Sequence, residues 1–520
     1  MAARDTAGLA ALALFLVLPI SAGGMQASPA PADSPELSKA RALVEAGQLD
    51  LALAELERTR SAGADTAAID YMIGVVQERK GDLAAAATAY RNATRRAPSS
   101  ASLHDRLGFV LGELGDTAGA ISEFERATAL DPKSFDARYH LGATLWWTRQ
   151  PDRALPFLEQ AVRLRPRHPE ARYYLALSLK QTGQRDRAVT ELQRVVELAP
   201  ELAPAHLQLG IALREAGDLD AAIVELEASV KLDPDSADAQ NNLGLAYSER
   251  GRAEDALRVL RALVERHPEH MTARLNLGST LMQKNDLDGA VAVYRDLLAR
   301  APDSAEAHYN LGLALKQKDD FAAAETELAR AAALDPSLPE AHYTLGVVLW
   351  QTSRPEEAAE SFRRAIAARA DYADAHYMLG TVLRQLGKPD EAIEEFRATI
   401  RYQPTYAEAH LSLGQMLQRR GDAQAAASEL AEADRLNRRK ADAQAATFAV
   451  SVGLERLGAG DVAAAIEKFR EAVRLAPDYP EAHYQLALAL DRQGSHAEAR
   501  REFDEARRLN PRLRKRGSPS

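Results

Sequence analysis

Histidine is the residue most suited to chemistry in this chain, and it recurs at one interval. His308, His342, His376 and His410 lie 34 residues apart, and His104, His206 and His483 hold the same place in other segments. Imidazoles can ligate metals or move protons. Metal binding fails on distance: equivalent atoms of packed helices lie ~8–10 Å apart, whereas zinc needs its nitrogens ~2.0–2.1 Å away. These positions are read as packing or hydrogen-bonding sites. No HExxH, GxxxxGK[ST], GxSxG or strand-borne GxGxxG occurs. The carboxylates, abundant and repeat-spaced, read as solvated faces or helix caps. No catalytic residue, cofactor site or metal site is expected, and the protein is read as no enzyme.

The elements that position these residues follow from proline. Pro98, Pro132, Pro166, Pro200, Pro234, Pro268, Pro302 and Pro336 keep a 34-residue register, as does Pro404; Pro477 and Pro511 are again 34 apart. A fixed period of this size marks a solenoid. Each period holds two apolar runs at helical spacing, such as Leu141 and Leu145, then Leu155, Leu158 and Val162. Between them, Gly81, Gly115, Gly217, Gly421 and Gly460 suit a left-handed helix end. Asp82, Asp116, Asp218, Asp422 and Asp461 then cap the next helix. Proline stops the second helix. The small Gly108 and Ala120 allow the two helices to approach closely. Each period is therefore an antiparallel helix pair.

The ordered set Leu107-Gly108, Ala120, Phe124, Ala127 and Pro132, repeated in register, resembles the tetratricopeptide repeat family. The resemblance covers residues 67 to 511 as thirteen repeats, with a weaker fourteenth at 33–66. It implies an all-α, right-handed superhelical solenoid of about 13–14 helix-turn-helix repeats, with an inner groove that holds a partner protein segment. The array is placed at 37–438, followed by an insertion at 439–445 and two last repeats at 446–513. Ala370 and Arg438 replace the proline. After Arg438 the register slips by five residues, which reads either as a kink where the helix runs on or as a one-off longer loop.

The family's groove stripe lies three before, one after and four after the early glycine. Here it carries Tyr139, Tyr173, Tyr309, Tyr343 and Tyr377, then Trp146, Lys180, Arg214, Lys316, Trp350 and Arg384. Tyr, Trp and Arg dominate binding hot spots; the alternative is that the tyrosines fill space between adjacent first helices. Asn242, Asn276 and Asn310 resemble a short form of the asparagine ladder in the repeat domain of O-linked N-acetylglucosamine transferases, which grips a peptide backbone. That family's catalytic domain has no counterpart here.

The formal charge is −10, from 75 acids and 65 bases, which argues against a nucleic-acid partner. The absence of cysteine excludes disulfides and thiol chemistry. Residues 1–24 read as a signal peptide, with an apolar stretch too short for a comfortable span and cleavage after Gly24, or else as an uncleaved anchor. The protein is therefore expected to be exported. Residues 25–36 read as a flexible Pro-rich linker, and 514–520 as a basic tail that could dock on a membrane. The expected function is a non-enzymatic protein-binding scaffold. The alternative is a structural part of an envelope assembly, secretion or polysaccharide-export complex. The oligomeric state is not legible.

Overall fold

The computed structural model describes residues 35–63 and 66–510. The expected signal segment and basic tail lie outside them, as does most of the linker. The linker's last residues, Pro35 and Glu36, instead open the helix Pro35–Glu45, because proline is preorganised for a first helical turn. The chain divides into two compact units, residues 1–280 and 281–520. Among the described residues there are 27 helices, arranged as fourteen antiparallel pairs. The weak first repeat is a full pair, Pro35–Glu45 and Leu49–Ser61, closed over buried Leu37, Ala40, Val44, Ala52 and Leu56.

The turn within a pair forms as its residues dictate. Gly115 has φ +83°, and Asp116 accepts a 2.9 Å hydrogen bond from the Gly119 amide. The other four expected caps, Asp82, Asp218, Asp422 and Asp461, each accept from the amide three residues on. Where glycine is replaced, the left-handed conformation persists: Arg149, Asn285, Asp319 and Ser353 have φ between 58° and 62°. Turn geometry overrides residue preference there. The Leu-Gly glycine provides close approach: a Cβ on Gly108 would meet Phe124 at 2.8 Å and the Ala120 carbonyl at 3.2 Å.

Within each unit, first helices of successive pairs touch directly, as Phe135–Trp147 does with Pro169–Gln181. Second helices make no comparable contact with one another. The first helices therefore line the tighter, inner side of each unit's curve.

The two positions without proline behave differently. At Ala370 the helix Pro355–Ala368 still ends. At Arg438 it does not: one 36-residue helix, Ala423–Gly458, serves as the second helix of one pair and the first of the next. The segment 439–445 is thus helical, not a loop. No proline lies between Pro404 and Pro477, and Arg438-Arg439-Lys440 are good helix formers.

The faces that would meet across this junction are left exposed. Ile393 and Ile400 help join their pair to the next; the corresponding Ala427 and Asp434 are exposed. Glu455 and Arg456, both exposed, stand where Val382 and Leu383 are buried. Phe448 is 70% exposed where Ala375 is 0% exposed.

Candidate protein-binding face

All fourteen candidate groove residues lie on first helices and are partly exposed. The structure gives them different surroundings.

In unit 1, Tyr139, Trp146 and Tyr173 belong to one aromatic cluster around Tyr174. Ring centroids lie 6.1, 5.5 and 5.9 Å from that of Tyr174. Burial, reinforced by Tyr174, pushes the Tyr139 and Tyr173 phenols well above their ordinary value. Both are chiefly packing residues. The Trp146 Nε1 is buried without a hydrogen-bond partner, while Trp147 Nε1 donates to the Tyr174 hydroxyl at 3.3 Å.

The cations of unit 1 are already engaged by the next repeat. Arg214 donates to Glu249 at 2.8 Å. The Lys180 Nζ lies 3.8 Å from Glu215 Oε1, and burial holds its pKa below the ordinary lysine value. Asn276 donates across one repeat to Asn241 at 2.9 Å, and Asn242 donates to the Asp238 carbonyl of its own helix. Sequence reading missed these partners. Their signal is an acid 35 residues after Lys180 and Arg214, and an amide 35 residues before Asn276.

In unit 2, Tyr309, Tyr343 and Tyr377 repeat one position over three successive pairs. Tyr343 packs on Phe362 and Tyr372 at 5.7 and 5.1 Å, and Tyr377 stacks on Tyr406 at 4.9 Å. Trp350 Nε1 donates to Gln385 at 3.0 Å. Asn310 donates to the Glu306 carbonyl of its own helix. Lys316 and Arg384 form no ion pair among the described residues. Beside Tyr309 a cleft of about 420 Å³ is walled by Glu306, Asn310, Asp335, Leu338 and Glu340. Burial raises the Tyr309 and Tyr343 phenols.

The recurring histidines form none of these surfaces. In six of them, His104, His206, His308, His376, His410 and His483, Nδ1 lies 2.6–2.7 Å from the carboxylate nineteen residues on, Glu123 through Glu502. Nε2 lies 2.9–3.1 Å from the carbonyl six residues back. Each ring ties first helix, second helix and preceding turn together. Other residues at this place serve the same carbonyl: Gln240 bonds that of Pro234, and Arg274 Nε donates to that of Pro268 at 2.9 Å. Among the described residues no group of three or more His, Cys, Asp or Glu could hold a metal.

Fourteen helix pairs of this geometry define a helical-hairpin repeat protein. Tetratricopeptide repeat models match residues 36–200 and 453–513, and the model of the cilia and flagella-associated protein 70 C-terminal domain matches 190–450. The chain belongs to the tetratricopeptide repeat family.

Among solved structures, MamA is 30% identical over 32% of this chain and 96% of its own, at TM-score 0.31. YrrB, described as a TPR protein with an unusual peptide-binding site, is 28% identical over 36% and 96%, at 0.34. Yeast Tom70 is 14% identical over 76% and 95%, at 0.41. No curated protein matches.

Proposed function

We propose that the protein is a scaffold that holds a segment of a partner protein against the first-helix face of residues 305–385. The observation that carries this reading is the difference between the units' cations. Lys180 and Arg214 are neutralised by Glu215 and Glu249. Lys316 and Arg384, at the same helix position, flank Trp350 without an ion pair among the described residues. A partner would place apolar side chains over Tyr309, Tyr343, Trp350 and Tyr377 and carboxylates at Lys316 and Arg384. Aromatic anchors and desolvated charges are what carry binding energy in protein interfaces. The tetratricopeptide repeat fold, an array without chemistry of its own, supports the same reading. The apolar stretch within residues 8–20 supports export, so the partner is sought in the envelope.

Crosslinking capture from the envelope fraction tests this. A partner held by the native chain and lost with Lys316→Glu/Arg384→Glu supports the face. Equal capture by both chains sinks it. The charge pair is preferred to a four-alanine change, because Tyr343 and Tyr377 also pack on Phe362 and Phe396.

A further inference from the structure

One histidine tie implies a proton. At His376, Nε2 faces the Ala370 carbonyl oxygen, which only accepts, so Nε2 carries a hydrogen. Nδ1 faces a carboxylate, which when ionised also only accepts. A neutral imidazole has one N–H and cannot serve both. The pair must hold one more proton than a neutral imidazole beside a carboxylate, lodged between Nδ1 and the glutamate oxygen.

We propose that the His376–Glu395 tie captures a proton when its helix pair folds, so that this pair tightens at mildly acidic pH and loosens as pH rises.

The surroundings of His376 show what competes. It faces Glu395 and Arg401 on the second helix of its pair, the Ala370 carbonyl of the turn, and the Tyr402 ring at 5.5 Å. Burial opposes the charged ring, as does Arg401. The Glu395 and Ala370 bonds outweigh both, so its pKa is raised.

The unfolded chain releases this proton near the ordinary histidine value, ~6.5. A group whose affinity for the proton is higher when folded stabilises fully below that value, and the gain is lost as pH rises through the folded value. The unfolding constant should change by up to about tenfold per pH unit for this tie within that window. Below the ordinary glutamate range, ~4.3, the carboxylate protonates as well and the advantage falls away.

His342 keeps the carbonyl bond without such an acid. Its Nε2 bonds the Pro336 carbonyl at 3.2 Å, but Ser361, not a glutamate, lies nineteen residues on.

The test uses the full chain with ¹⁵N-labelled histidine at pH 7.5. The His376 ring, assigned by its loss in His376→Gln, should show both nitrogens protonated. In parallel, thermal unfolding between pH 6 and 9 is compared with Glu395→Gln. Glutamine can donate to a bare Nδ1 and so keeps the tie without the proton. Glu395→Gln should remove about one proton from the pH dependence of the native chain. A native His376 ring with one bare nitrogen, or equal pH dependence in native and variant chains, would overturn the proposal. If Glu395→Gln does not fold, the ring spectrum decides.

Discussion

A Cβ added to Gly346 would lie 2.7 Å from the ring of Phe362, closer than side chains pack. Phe362 is fully buried and cannot swing away. Gly346→Ala should therefore destabilise its unit by about 1–3 kcal/mol, the usual range for overpacking. Denaturant unfolding followed by helical circular dichroism would measure it. A neutral result would mean that the two helices part at little cost.

Arg149 and Ser353 occupy the left-handed turn within a pair that glycine holds in ten described pairs. Such strain costs of order 1 kcal/mol for a non-glycine residue. Arg149→Gly and Ser353→Gly should each raise stability by a comparable amount, read as a higher melting temperature. A lower one would show that these side chains contribute more than their backbones lose.

The two missing prolines should respond oppositely. Arg369, before Ala370, has φ −144° and ψ 100°, extended as a residue preceding proline must be. Ala370→Pro should stabilise by about 0.4–1 kcal/mol through the unfolded chain. Arg438 lies inside the helix Ala423–Gly458, where Arg438→Pro should cost ~3 kcal/mol and shorten the helix. Circular dichroism and melting of both variants would compare them directly.

His140 bonds Asp105 on the preceding first helix at 2.9 Å, ringed by Phe109, Phe124 and Tyr139. Burial opposes its charge, yet Asp105, helped by Asp136 and countered by Arg106, raises its pKa. A raised folded value stabilises fully below ~6.5 and fades as pH rises through it. His140→Gln should thus cost on the order of 1 kcal/mol more at pH 6 than at pH 9. Stability curves at the two pH values would check it; an equal cost would mean that the ring is neutral throughout.

Much of the fold was legible because one unit is written fourteen times. The Gly115-Asp116 turn and the Gly108–Ala120 approach each follow from a residue whose physics allows little else. The junction was legible only as an absence: Arg438 shows that a stop is missing, but whether the helix continues depends on the thirty residues around it. Among the candidate site residues, type and spacing put Tyr139 and Tyr343 in the same class. What separates them is the neighbour each meets: Tyr174 and His168 close over Tyr139, whereas Tyr343 meets Phe362 and Tyr372. The pairing of Arg214 with Glu249 was in the sequence as a 35-residue interval, but its meaning needs two first helices set side by side.

The exposed edges on either side of 439–445 also bear on how such a chain can grow. Elsewhere, a duplicated 34-residue segment would find an apolar neighbour on both sides and extend the stack. A copy inserted at the junction would face exposed Asp434 on one side and exposed Glu455, Arg456 and Phe448 on the other, a poorer match than the apolar faces elsewhere. Lengthening by duplication is therefore easier elsewhere in the array than at this junction.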